Sequence, residues 1–298
     1  MAKIIESIPN ISEGRNKDII EACVDQIRGT AGCTLLNYSS DTSHNRTVIT
    51  YMGSLEGVEE ASVKLAKKAA ELIDLTKHSG EHPRMGAVDV MPFVPIKEAT
   101  EEECIELSRI VGKRIAEETG VPVFLYEKSA SAEHRRNLAA VRKGQFEGMF
   151  EKVKDPDWIP DFGGSRVHPT AGVVAVGARP PLIAYNINLD TNDLELAKEI
   201  SKEIRESSGG LPCVKALGVM LEDRNIAQVS INMTDYRVTP LHKVTELVRE
   251  KAAKEGVKVI GTELIGLCPM KALFDAAEFY LQIEDFDPEV QVIENHLL

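Results

Sequence analysis

The spacing of apolar and polar residues changes period several times along this chain, and the order of those changes sets out its elements. Residues 3–8 predict a first strand, ending in the loop Pro9-Asn10-Ile11-Ser12-Glu13-Gly14. Ile19, Ile20, Cys23 and Ile27 then recur on one face of a helix over residues 17–28, which Gly29 and Gly32 stop. Two apolar runs follow, 33–38 and 47–52, with a polar connection at 39–46. Val58, Ala61, Leu65, Ala69 and Leu72 keep helical spacing through residues 55–75, and residues 88–93 read as another strand.

The second half repeats this order. An apolar run at 181–188 ends in polar Asn186 and Asn188, and a helix over 193–205 is broken by Ser207-Ser208-Gly209-Gly210. Strands are expected at 214–221 and 227–233, a helix at 241–255 closed by Gly256, and a last strand from 257 to 260. Both halves read β-α-β-β-α-β, the split βαβ arrangement. The expected fold class is therefore α/β, more strictly α+β. It comprises two such subdomains, residues 1–180 and 181–298, each a sheet with helices on one face. A ligand cleft or tunnel between two subdomains is a natural place for a site. The segment joining the two repeats carries a helix at 101–119, a strand at 121–126, an Arg-rich stretch at 133–143 and a loop at 155–161.

Composition narrows the function classes. Apolar residues make up 43% and charged residues 28%, which is ordinary for a folded protein. Lys and Arg number 35 against 47 Asp and Glu, a net charge of −12. With no basic run, that charge argues against nucleic acid as a partner. The start MAKIIESIPN lacks signal-peptide anatomy, and no window approaches the roughly 18 apolar residues of a membrane span. The five cysteines are scattered without a C-x-x-C pair, which fits free thiols in a reducing cytoplasm. A cytoplasmic protein without membrane contact is the expectation.

Four groups of residues could carry chemistry. The densest is residues 78–90, which place His78, Glu81, His82, Arg84 and Asp89 between a helix and a strand. Pro83 pushes His82 out of the helical region and so restricts its imidazole. His78 and His82 are four residues apart, a metal-binding spacing on a helix, but Gly80 and Pro83 oppose a helix there. A structural loop with solvated histidines is the plain alternative. The second group is the glycine-rich stretch Gly163-Gly164-Ser165-Arg166-Val167-His168-Pro169-Thr170-Ala171-Gly172. Its glycines let backbone N–H groups approach an anion or flat ring, and Arg166 can pair with a carboxylate. It matches neither the P-loop nor the dinucleotide spacing, and a turn-rich linker is its alternative. The third group is Asp41, His44, Asn45 and Arg46, between two strands. The fourth is Asn10, Asn186, Asn188 and Asn232 at the polar ends of apolar runs, where turn formation or a satisfied buried amide competes with ligand binding.

These residues resemble a known family. His78-x-Gly80-x-His82-Pro83-Arg84-Met85-Gly86-Ala87-x-Asp89-Val90-x-Pro92-Phe93-x-Pro95 is similar to the signature of glutamate formiminotransferases. Ile8-Pro9-Asn10-x-Ser12-Glu13-Gly14-Arg15, Asn45-Arg46-Thr47-Val48 with Gly53, and Ala184-x-Asn186-x-Asn188-Leu189 add to it, so the resemblance covers essentially the whole chain. It implies an enzyme of one-carbon metabolism and histidine catabolism that passes the formimino group of N-formimino-L-glutamate to tetrahydrofolate. It also implies two α/β subdomains around a folate tunnel, a homodimer, His82 as the catalytic residue and Gly163 to Gly172 as the folate-binding stretch. Tetrahydrofolate would be the co-substrate, with no metal. The animal enzymes continue into a cyclodeaminase domain, and this chain resembles their transferase part alone.

Under that resemblance His82 would shuttle a proton from the attacking to the leaving nitrogen. Asp41 would face the cationic formimino group, and Arg46 and Arg84 would hold glutamate carboxylates. Two other readings stay open from sequence: formyl transfer from 5-formyl-tetrahydrofolate to glutamate in folate salvage, and a folate-binding module without catalysis.

Overall fold

The helices begin where side chains can satisfy their first N–H groups. Asn16 accepts from the N–H groups of Asp18 and Ile19 and opens α1 (Lys17–Arg28), and Ser54 accepts from Gly57 to open α2 (Leu55–Leu72). Thr100 and Glu103 form a reciprocal capping box at the start of α3 (Glu101–Thr119), and Gly120 ends that helix at φ 71°. The computed structural model describes residues 3–296 and forms two units, Met1–Arg179 and Pro180–Leu298.

The first unit is built on a seven-stranded sheet. Strands β1 (Ile4–Ser7) and β2 (Asn10–Ile11) occupy one lane, separated at Pro9, which has no N–H to give to a ladder. On one side lies β4 (Arg46–Gly53), followed by β3 (Cys33–Asp41). On the other side lies β5 (Val88–Lys97), then β7 (Val174–Ala178) and β6 (Val123–Leu125). The last three run parallel; the rest of the sheet is antiparallel.

Helices α1, α2 and α3 bury Ile20, Ile27, Leu65 and Val111 with Ile5, Tyr51, Met91 and Phe93 in one core. Contrary to a sheet covered on one face only, a second core lies behind β5, β7 and β6. There Val90, Phe124 and Ala175 meet Val141 of α4 (Leu138–Arg142) and Met149 of α5 (Gln145–Lys152). This second layer brings α4 over β5, where the candidate histidine loop ends.

The second unit is a four-stranded antiparallel sheet in the order β11 (Val259–Ile265), β8 (Ile183–Leu189), β10 (Ile226–Met233), β9 (Val214–Leu221). Helices α6 (Leu194–Ile204) and α7 (Leu241–Lys254) bury Ile200, Ile204, Val244 and Val248 against Ile183, Ile187, Val229 and Ile231. Helices α8 (Met270–Leu281) and α9 (Pro288–Gln291) follow. Taken in chain order within each repeat, the fourth, first, third and second strands lie side by side in both units. In each, strands joined by a helix run the same way with one strand between them. The repeat inferred from element order is thus present as topology.

Several elements escape the periodicity reading, β7, α8 and α5 among them. Strand β7 is a continuous apolar run buried throughout, with no alternation to mark it. Helix α8 carries apolar residues on several sides, leaving Leu273, Phe279, Tyr280 and Leu281 exposed, so no stripe stands out. Helix α5 is a two-turn element starting directly after Gly144. Among the described residues no helix is long and apolar enough to cross a membrane.

Candidate active site

The turn between β3 and β4 supports the site. Asn45 has φ 50°, a left-handed conformation that asparagine tolerates better than most residues. Its Oδ1 accepts from Gly14 N–H at 2.9 Å, and its Nδ2 donates to the Ser79 carbonyl at 3.0 Å. The Asn45 carbonyl lies 2.9 Å from His78 Nε2, and Glu81 N–H donates to the Ser43 carbonyl. One residue therefore ties the turn to the loops on either side. Gly80 is needed for the fit, because a Cβ there would come 2.4 Å from the His44 carbonyl oxygen.

Loop 78–87 and loop 163–172 are laced together by backbone bonds. Ala87 N–H donates to Ala171, Val173 N–H to Met85, and Leu75 N–H to Thr170. Gly172 sits at φ +70°, and a Cβ on it would stand 2.2 Å from the Met85 carbonyl oxygen. The two segments that sequence singled out separately are neighbours.

His82 lies between Arg46 and Asp89. Its side chain is 14% exposed, with Nδ1 3.4 Å from Arg46 Nη1 and Nε2 3.8 Å from Asp89 Oδ2. Nε2 is buried and has no hydrogen-bond partner among the described residues. Asp89 lies on β5 and is 1% exposed. Its Oδ1 accepts from Met85 N–H at 2.9 Å, and its Oδ2 accepts from Arg142 of α4. Burial opposes ionisation of Asp89, but the His82 imidazole, the Arg142 charge and the Met85 N–H outweigh it and hold the carboxyl below its ordinary value. Burial and the neighbouring Arg142 cation lower Arg46, against the pull of Asp89 and Asp41. Arg142 thus pairs with the buried Asp89, while Arg46 stands at Nδ1 of the imidazole, where its guanidinium suits an anionic group.

Helix α4 is held at its end. Lys152 Nζ donates to the carbonyls of Ala140 and Val141, each at 2.6 Å, and lies 3.8 Å from the centre of the Trp158 ring. Burial, with Lys143 nearby, pulls this ammonium down to about 8.

The other expected site residues fall in distinct places. Arg84, its side chain 9% exposed, grips Glu147 of α5 with both Nη atoms, at 2.9 and 2.7 Å, and its Nε reaches His78 Nδ1 at 3.2 Å. Its carboxylate partner is the protein's own. Asp41 stands half-exposed at the end of β3, where the His44 N–H holds its carboxyl low. In the glycine-rich stretch, Gly163 and Gly164 have positive φ, and these two, Ser165, Arg166 and Pro169 are exposed. His168 Nδ1 accepts from Ala171 N–H at 2.9 Å, and Val167 is buried. Ser165, Arg166, Val167 and Pro169 join Phe150 and Val153 around a pocket of about 330 Å³. Asn10 is half-buried on β2, next to β4 and β5. Asn188, in the second unit, is buried and bonded to Gln228 and Glu263, and Asn186 lies two residues before it on β8.

Sequence reading gave no role to Asp89, which lies within the signature run, and did not single out Arg142 or Glu147. Arg142 was visible only as one cation of the stretch 133–143.

Comparison with known proteins agrees along the whole chain. The family model described as formiminotransferase domain, N-terminal subdomain, matches residues 4–179, and the formiminotransferase domain model matches residues 184–296. A protein of Streptococcus pyogenes serotype M1 named glutamate formimidoyltransferase is 56% identical over 298 residues, all of both chains. One of the same name from Thermoplasma acidophilum is 44% identical, over 95% of this chain and 94% of its own. The Gallus gallus formimidoyltransferase-cyclodeaminase is 48% identical over 95% of this chain, which spans about half (53%) of that relative.

Proposed function

The chain belongs to the formiminotransferase family and is a transferase, and we propose that it moves the formimino group of N-formimino-L-glutamate to tetrahydrofolate, yielding L-glutamate and 5-formimino-tetrahydrofolate. The observation that carries this reading is the placement of His82, an imidazole on a constrained loop between Arg46 and the buried Asp89.

The transfer needs N5 of the folate to attack the formimino carbon and the glutamate nitrogen to leave. The attacking nitrogen sheds a proton, and the leaving nitrogen gains one. A histidine titrates near neutrality and can serve both steps in turn. We assign that shuttle to His82. Arg46, one hydrogen bond away, is assigned to a glutamate carboxylate of the donor, which would hold the reacting carbon beside the imidazole. Asp41 supplies negative charge for the cationic formimino group. The loop from Gly163 to Gly172, laced to the histidine loop by backbone bonds, is assigned to tetrahydrofolate, the co-substrate. Asn10 is a further polar contact in this reading, and Asn188, already bonded to Gln228 and Glu263, is not assigned one. Arg84, already paired with Glu147 and His78, is assigned to holding the loop in shape, in place of a carboxylate-binding role.

His82→Ala should lower kcat by about 10²- to 10⁴-fold with the fold intact, read from folate absorbance in turnover and from circular dichroism. Near-normal turnover in a folded variant would remove His82 from the chemistry.

A further inference from the structure

His82 has two ring nitrogens, and the neighbours of each are chemically different. Nδ1 faces Arg46 Nη1, 3.4 Å away, and a guanidinium can only donate, so Nδ1 must present its lone pair. Nε2 faces the Asp89 carboxylate, which can only accept, at 3.8 Å, about 0.6 Å beyond the usual hydrogen-bond range. Both contacts select the same neutral tautomer, with the proton on Nε2.

We propose that Asp89, itself held by Arg142, is a positioning residue that fixes His82 with its proton on Nε2 and leaves Nδ1 to exchange protons with the substrate. The proposal rests on the reading of His82 as the acid–base group. Asp89 is buried, and an unpaired buried carboxylate takes up a proton rather than stay charged. Arg142 and the Met85 N–H keep it an anion. The charged groups facing the imidazole are Arg46 from β4, Asp89 from β5 and Arg142 from α4 behind Asp89, with Asp41 near Arg46. In the reaction Arg46 turns to the donor carboxylate and Nδ1 takes the proton of the attacking amine, giving an imidazolium whose Nε2–H points at Asp89. The same Nδ1 then returns that proton to the leaving nitrogen, and Asp89 stays ionised throughout. Orienting partners of this type are commonly worth about 10- to 100-fold, as seen for the outer partners of metal-bound histidines.

The first test is ¹⁵N NMR of histidine-labelled wild-type protein, with the His82 signals assigned by their loss in His82→Ala. A neutral His82 protonated on Nε2 supports the proposal; a neutral His82 protonated on Nδ1 overturns it. The second test is Asp89→Asn. With the amide oxygen kept on Met85 N–H, the NH₂ faces His82 and demands the opposite tautomer. The expected result is a fall in kcat of about 100-fold with KM values within about threefold, together with a changed tautomer signal. Arg142→Lys should keep most of the activity that Arg142→Gln loses. A folded Asp89→Asn variant with wild-type kcat overturns the proposal. If that variant does not fold, the wild-type spectrum decides. Failure of the underlying reading looks different, since His82→Ala would then itself remain active.

Discussion

Asn45 shows how one residue can hold a site without joining the chemistry. Its amide bridges Gly14 and Ser79, its carbonyl meets His78, and its left-handed backbone lets β4 begin at Arg46 in the right place. Removing the amide leaves a buried Gly14 N–H unsatisfied and breaks the bond to Ser79, and each loss costs about 1 kcal/mol or more. Alanine also strains the left-handed backbone, which glycine does not, by a further ~1 kcal/mol. Asn45→Ala should therefore lose about 3 kcal/mol of unfolding free energy and Asn45→Gly about 2, measured by urea denaturation. Equal and negligible losses would show that this tie between loops does not matter.

Between elements, the contact to watch is the one from Asp89 on β5 to Arg142 on α4. Its carboxyl is held below the ordinary carboxylate value, so the stability it contributes is present above roughly pH 4, the unfolded value, and fades as pH falls through the lower folded value. Wild-type unfolding free energy should fall more steeply with acidification below about pH 4 than that of Asp89→Asn. Identical acid slopes would mean that the carboxyl is not held low. The end of α4 depends in turn on Lys152, whose donors close the carbonyls of Ala140 and Val141.

At the scale of the whole molecule, the two units have separate apolar cores, one around Phe93 and Tyr51 and one around Ile187 and Val229. The second includes a complete β-α-β-β-α-β repeat with both helices packed on its sheet. Residues 180–298 expressed alone should therefore melt in a single cooperative transition by circular dichroism, with both helical and strand signal. A broad, non-cooperative melt would show that this core is not sufficient by itself.

Much of this was readable along the chain. Helical and strand periodicities are local, so helices at 17–28 and 101–119 and the strand at 214–221 could be placed from spacing and capping alone. The repeat followed from their order, and the histidine loop from its density of charge and from Pro83. Strand β7, fully buried and without alternation, offered no such period. The arrangement around His82 was a matter of distance in space. Arg142 is 53 residues from Asp89, and Glu147 is 63 from Arg84. No spacing rule spans such separations, because a charge finds its partner only after strands and helices pack. Sequence alone determined most of the elements and which loop carries the imidazole. The tertiary structure decided which charged group faces each of its nitrogens and which arginine is already paired, since packing brings those groups together and burial makes their pairing matter.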